Sequence, residues 1–155
     1  MEALVSKTEM LIRRPASAVF DAFVDPGMLE SFWLRSASGR LADGAEVEWE
    51  FLVAGARAKV VVTDVIPHQF IAFTWPDGIG VEMNFDALDD EGTRLSVTVR
   101  GFDGPDASRG ALDTTEGFAI VLCDFKCLLE TGRSGNMVRD KAALITADMD
   151  ANKRA

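Results

Sequence analysis

The chain has 155 residues, with 25 acidic against 16 Lys and Arg, one His, two Cys and a formal charge of −9. Ten Phe and three Trp stand beside no Tyr. A catalytic Tyr and a closed four-ligand Cys/His zinc site are excluded, and a histidine-based triad would have to be built on His68. The acidity disfavours a nucleic-acid binder or an anionic-membrane binder. A length of this order suits one domain with a full hydrophobic core.

In chain order, Val5–Ile12 alternates loosely and reads as a strand, which Arg14-Pro15 ends. The segment 16–24 carries Val19, Phe20 and Phe23 at helical spacing. Asp25-Pro26 breaks it, because the residue before proline is pushed out of the helical region. A short second helix follows over 27–33. From Gly39 the period changes to two. Val47, Trp49, Phe51 and Val53 alternate with Glu46, Glu48 and Glu50, and further strands are expected over 57–66, 71–75, 81–87 and 95–99. Short turns at Ala54-Gly55, Pro67-His68, Pro76-Asp77-Gly78 and Asp89–Gly92 make an antiparallel meander. A Gly- and Asp-rich loop over 101–110 leads into the longest helix, expected over 112–131. Its apolar stripe is Phe118, Val121, Leu122, Phe125, Leu128 and Leu129, and Gly132 suits its end. A further helical tail is read over 137–149, with 151–155 frayed.

An amphipathic sheet and a long helix must bury their apolar sides together. The expected class is therefore α+β: a curved antiparallel sheet wrapped around a long C-terminal helix, with two short helices after the first strand. We read residues 1–142 as the domain and 143–155 as a tail. Aromatic side chains collect on the inner face, either interlocked as core or lining a cavity. The candidate ligand-binding set is Trp33, Trp49, Phe51, Phe73, Trp75, Met83, Phe85, Phe118, Val121, Leu122 and Phe125. No catalytic residue, metal site or cofactor is assigned. His68 reads as a solvated turn residue. Glu46, Glu48, Glu50, Glu82 and Asp86 read as a wet sheet face, where Arg57, Lys59, Arg94 or Arg100 pair across strands. Ile120, Cys123 and Cys127 lie opposite the main stripe, so either the tail (Met137, Val138, Leu144, Ile145) or a second copy of the chain should cover them. Neither a signal peptide nor a membrane-spanning run is evident, and two unpaired cysteines fit a reducing cytoplasm.

Several stretches carry a family likeness. They are Arg14-Pro15 with Val19-Phe20 and Ala22-Phe23, Asp25-Pro26, Leu29 and Phe32-Trp33; then Val65-Ile66-Pro67 with Phe73-Thr74-Trp75; then Gly92-Thr93-Arg94-Leu95; and finally Glu116-Gly117-Phe118, Leu122, Lys126 and Leu129-Glu130-Thr131-Gly132. In this order the chain, over about residues 4–142, resembles the helix-grip (START-like) superfamily. Within it, the chain resembles bacterial homologues of the activator of Hsp90 ATPase. Arg14 stands where Ala is common in that family, and Phe118 where Trp is common. The resemblance implies a helix-grip fold with a cavity under the long helix. The expected function is binding of a small hydrophobic, aromatic or lipid-like molecule. A cyclase or hydrolase using the same cavity, and a chaperone-interacting module, are the alternatives.

Overall fold

The computed structural model describes residues 3–154; Met1, Glu2 and Ala155, and the parts of the terminal expectations that fall on them, lie outside. Eleven elements follow in order among the described residues. They are β1 (Ser6–Ile12), α1 (Ala16–Val24), α2 (Pro26–Phe32), β2 (Leu34–Ala37), β3 (Glu46–Phe51), β4 (Arg57–Ile66), β5 (Phe70–Thr74), β6 (Gly80–Asp89), β7 (Gly92–Arg100), α3 (Ala107–Thr131) and α4 (Met137–Arg154). The seven strands form one antiparallel sheet in the order β1-β7-β6-β5-β4-β3-β2. From β2 to β7 every neighbour in the sheet is the next strand in the chain, as short turns require. β1 closes the far edge against β7, with Ser6 opposite Val99 and Ile12 opposite Thr93.

The architecture is the expected one: a curved antiparallel sheet gripping a long helix. Three elements differ from the sequence reading. β2 pairs with β3 (Leu34 opposite Phe51, Ala37 opposite Trp49), and four residues are too few to show an alternation. α3 begins at Ala107 rather than at 112, since Ala107–Ala111 carries no apolar period to mark it. α4 runs on to Arg154 rather than ending near residue 149. Between α1 and α2, the Asp25 carboxylate accepts from the Gly27 N–H at 2.9 Å, and Pro26 occupies the first helical position. One residue thus closes a helix and caps the next.

The inner sheet face is dry. Trp49, Val60, Ile71, Met83, Leu95 and Val97 are fully buried, together with Leu122 and Phe125 from α3. Phe125 stacks on Phe32 at 5.2 Å and meets Phe23 edge-on at 5.7 Å, so α1, α2 and α3 share one aromatic joint. Each such side chain removed from water contributes about 1.5–3 kcal/mol. The outer face carries ion pairs, Lys59–Glu46 at 3.0 Å and Arg57–Glu50 at 3.8 Å, as the alternation implied. The Glu46 carboxylate also raises the Lys59 pKa.

Candidate functional site

At one end of the sheet the core opens into a cleft of about 660 Å³. Four pieces of the fold meet there. The β3–β4 turn brings Phe51, Leu52, Val53 and Ala56; the β5–β6 turn brings Trp75 and Ile79; α3 presents Gly117, Phe118, Ile120 and Val121; α4 presents Val138, Lys141, Ala142 and Ile145. Trp33, at the end of α2, completes the floor. The size lies within the range of pockets that hold a small organic molecule.

Local chemistry fixes each wall. In the β3–β4 turn the Phe51 N–H donates to the Ala56 carbonyl at 2.9 Å. In the β5–β6 turn the Trp75 N–H donates to the Ile79 carbonyl at 2.9 Å, and the Asp77 carboxylate accepts from the Ile79 N–H at 3.1 Å. That turn rests against Gly101, whose φ is +107° and where a Cβ would stand 3.1 Å from the Gly78 carbonyl oxygen. Only glycine allows both the backbone conformation and the approach. Gly117 leaves open space on the face of α3 that lines the cleft, with nothing within 4 Å of a Cβ placed there. On α4 the lining residues fall at i, i+3, i+4 and i+7, one face of the helix.

The floor is a continuous aromatic cluster. Trp33 and Trp49 are 4.9 Å apart, Trp49 and Trp75 5.5 Å, and Trp33 and Phe118 6.1 Å. Of the sequence-derived candidates, Trp33, Phe51, Trp75, Phe118 and Val121 line the cleft. Trp49, Phe73, Met83, Phe85, Leu122 and Phe125 are packed behind it, at most 2% exposed. The opening is therefore at the end of the grip, and beneath the centre of α3 the sheet and helix interlock. The sequence reading passed over Leu52 and Ile79, although an apolar residue in a tight turn is itself a signal. It also passed over Lys141 and Ala142, placed the cleft-lining Ile120 opposite the main stripe, and read Val138 and Ile145 only as a cover for the outer helix face.

Three charged side chains reach the lip: Arg57, Asp77 and Lys141. The Lys141 ammonium lies 2.7 Å from the Glu116 carboxylate of α3, which raises its pKa, with Asp148 and Asp113 adding to the effect. Lys141 is thus a fixed cation at neutral pH. Among the described residues no cluster of three His, Cys, Asp or Glu could hold a metal ion, and no helix is long and apolar enough to cross a membrane. His68 sits away from the cleft, 3.4 Å from Asp21 and edge-on to Phe20.

α4 covers the outer side of α3 only in part. Ile120 is half-buried and Val138 packs against the core. Cys127 is half-buried, but Cys123 stays exposed.

The comparison with curated proteins returns no match. Among solved structures, the chain is similar to a Staphylococcus saprophyticus protein at 29% identity and a TM-score of 0.75, covering 84% of this chain and 95% of that one. It is similar to a Mesorhizobium loti protein at 20% identity and a TM-score of 0.73, covering 82% and 97%. A Colwellia psychrerythraea Aha1, described as a dimer in solution, aligns at 17% identity and a TM-score of 0.74, covering 84% and 99%. The family model described as Activator of Hsp90 ATPase homolog 1-like protein matches residues 13–130, from the end of β1 to the last turn of α3. The chain belongs to the family of Activator of Hsp90 ATPase homolog 1-like proteins.

Proposed function

We propose that the chain binds a small apolar molecule, flat and aromatic or lipid-like, in the cleft at the open end of the grip, and that it does so in a reducing cytoplasm. The supporting observation is the cleft itself: about 660 Å³ lined by Trp33, Phe51, Trp75, Phe118, Val121 and the aliphatic residues of α3, α4 and two turns. A folded domain gains by removing such surface from water, at about 25 cal/mol per Å². Keeping it open therefore favours a partner that completes the burial. All three lip charges are engaged, Lys141 with Glu116, Arg57 with Glu50 and Asp77 with the Ile79 N–H, so they orient a ligand without supplying a reactive group. Two free thiols, Cys123 and Cys127, fit the compartment.

Titration with Nile red, a neutral apolar dye, tests the reading. The expected result is saturable one-to-one binding with a blue-shifted emission, competed by aromatic hydrocarbons and accompanied by a rise in melting temperature. Absence of saturable binding by the dye and by a panel of apolar compounds overturns it.

A further inference from the structure

The family match ends at Glu130 and α4 begins at Met137, yet one face of α4 forms a wall of the cleft. The device holding that wall is a single buried acid. Asp124 lies on α3 between Val121 and Phe125, inside the apolar stripe, with no exposed surface. Its Oδ1 accepts from the Ser134 hydroxyl at 2.7 Å and from the Gly135 N–H at 2.8 Å; its Oδ2 accepts from the Val138 N–H at 3.1 Å. Every one of these partners belongs to the connection into α4 or to its first turn. A buried carboxylate is costly unless its oxygens are satisfied. The free N–H groups and positive end of a helix satisfy it well.

We propose that Asp124 is a positioning residue for the ligand cleft: it clamps the start of α4, so that Val138, Ala142 and Ile145 are held as the selective wall. This rests on the cleft being a binding site, and it assigns ligand selection to a segment beyond the family match. The connection is built for a fixed exit. Gly132 (φ +84°) and Asn136 (φ +60°) both adopt the left-handed conformation. The Ser134 hydroxyl oxygen also accepts from the Asn136 N–H at 3.0 Å. Past the clamp, Lys141–Glu116 is the one ion pair joining α4 to α3 among the described residues. It is open to solvent and screened by salt. Leu144, Ile145 and Met149 remain exposed. The position of α4 is thus set chiefly at one end.

Asp124→Asn keeps the side-chain shape but turns an amide N–H₂ toward a backbone N–H. In the protein without ligand, hydrogen exchange over 137–145 should rise roughly tenfold, while amides of β6 and β7 keep their protection. Ile145→Trp, which fills the cleft from α4, should weaken Nile red binding roughly tenfold in the otherwise unchanged protein. In the Asp124→Asn background it should change binding by less than about threefold, because the wall is no longer held. Equal effects of Ile145→Trp in both backgrounds, or unchanged exchange in α4, overturn the proposal. Ser134→Ala removes one of the three bonds from outside α3 and should produce a smaller rise in exchange over the same residues. It judges the clamp if Asp124→Asn does not fold, and unchanged exchange there overturns it. Failure of the unaltered protein to bind the dye counts against the cleft as a binding site, while the exchange result alone still decides whether the clamp exists.

Discussion

Glu130 ties the end of α3 to the end of β1. Its Oε2 accepts from the Lys126 ammonium at 2.7 Å and from the Arg13 N–H at 2.8 Å, and Lys126 also donates to the Leu11 carbonyl. The Lys126 hydrogen bond, followed by that from Arg13, holds the Glu130 carboxyl below its ordinary value of 4.5. A depressed folded pKa adds stability above the ordinary value and loses it as pH falls through the folded one. Glu130→Gln should therefore lower stability by roughly 0.5–1 kcal/mol at about pH 7, discounted for solvent screening. The gap between variant and parent should close in acid below 4.5. Chemical denaturation of both proteins across that interval measures it. A gap that persists unchanged in acid would show that the carboxylate charge is not what the contact uses. Sequence pattern does not reveal such ties, because Lys126 and Glu130 read as an ordinary i,i+4 surface pair. Asp124 was concealed differently. A charge three residues after Val121 and four before Leu128 falls within the apolar stripe, and that misplacement is the signal by which it could have been found.

At the scale of elements, strands with one wet and one dry face were legible. Glu46, Glu48 and Glu50 alternating with Val47 and Trp49 fix both the strand and its orientation, and the ion pairs to Lys59 and Arg57 follow. β2 and the first turn of α3 were not, because Leu34–Ala37 and Ala107–Ala111 are too short or too mixed to carry a period. Gly117 shows where element and site diverge. Glycine inside a helix costs about 1 kcal/mol relative to a good helix former, and at Gly117 a side chain would enter open cleft. Gly117→Leu should raise stability by roughly 0.5–1 kcal/mol. It should also weaken Nile red binding, by filling space. Stability that rises with dye affinity unchanged would place the ligand elsewhere.

For the whole molecule, the antiparallel run from β3 to β7 was recoverable, while β1 beside β7, β2 beside β3 and the hollow were not. Whether an apolar face is solid or open depends on how far the turns and α4 overhang the sheet end, an offset that no periodicity encodes. The same geometry predicts a gradient of protection. β6 and β7 pair over nearly their full lengths, and β7 is also covered by β1 on its other edge. α4 rests on the molecule along one face and is mostly exposed beyond Ala142. Amides of Val97 and Met83 should exchange only through global unfolding, and those beyond residue 145 through local opening. Mass-resolved hydrogen exchange reads this directly; protection in the distal half of α4 equal to that of β7 would mean that another surface covers it.

The three tryptophans are the chain's only indoles, and there is no tyrosine. Trp33, Trp49 and Trp75 stand within 5.5 Å of their neighbours in one cluster, and two of them face the cleft. The intrinsic emission of the protein therefore comes from a single place. Rings this close exchange excitation energy, so a quencher or ligand beside one should alter the light from all three. The molecule carries its own optical reporter, with no background from elsewhere in the fold, and any compound entering the cleft should announce itself in unlabelled protein.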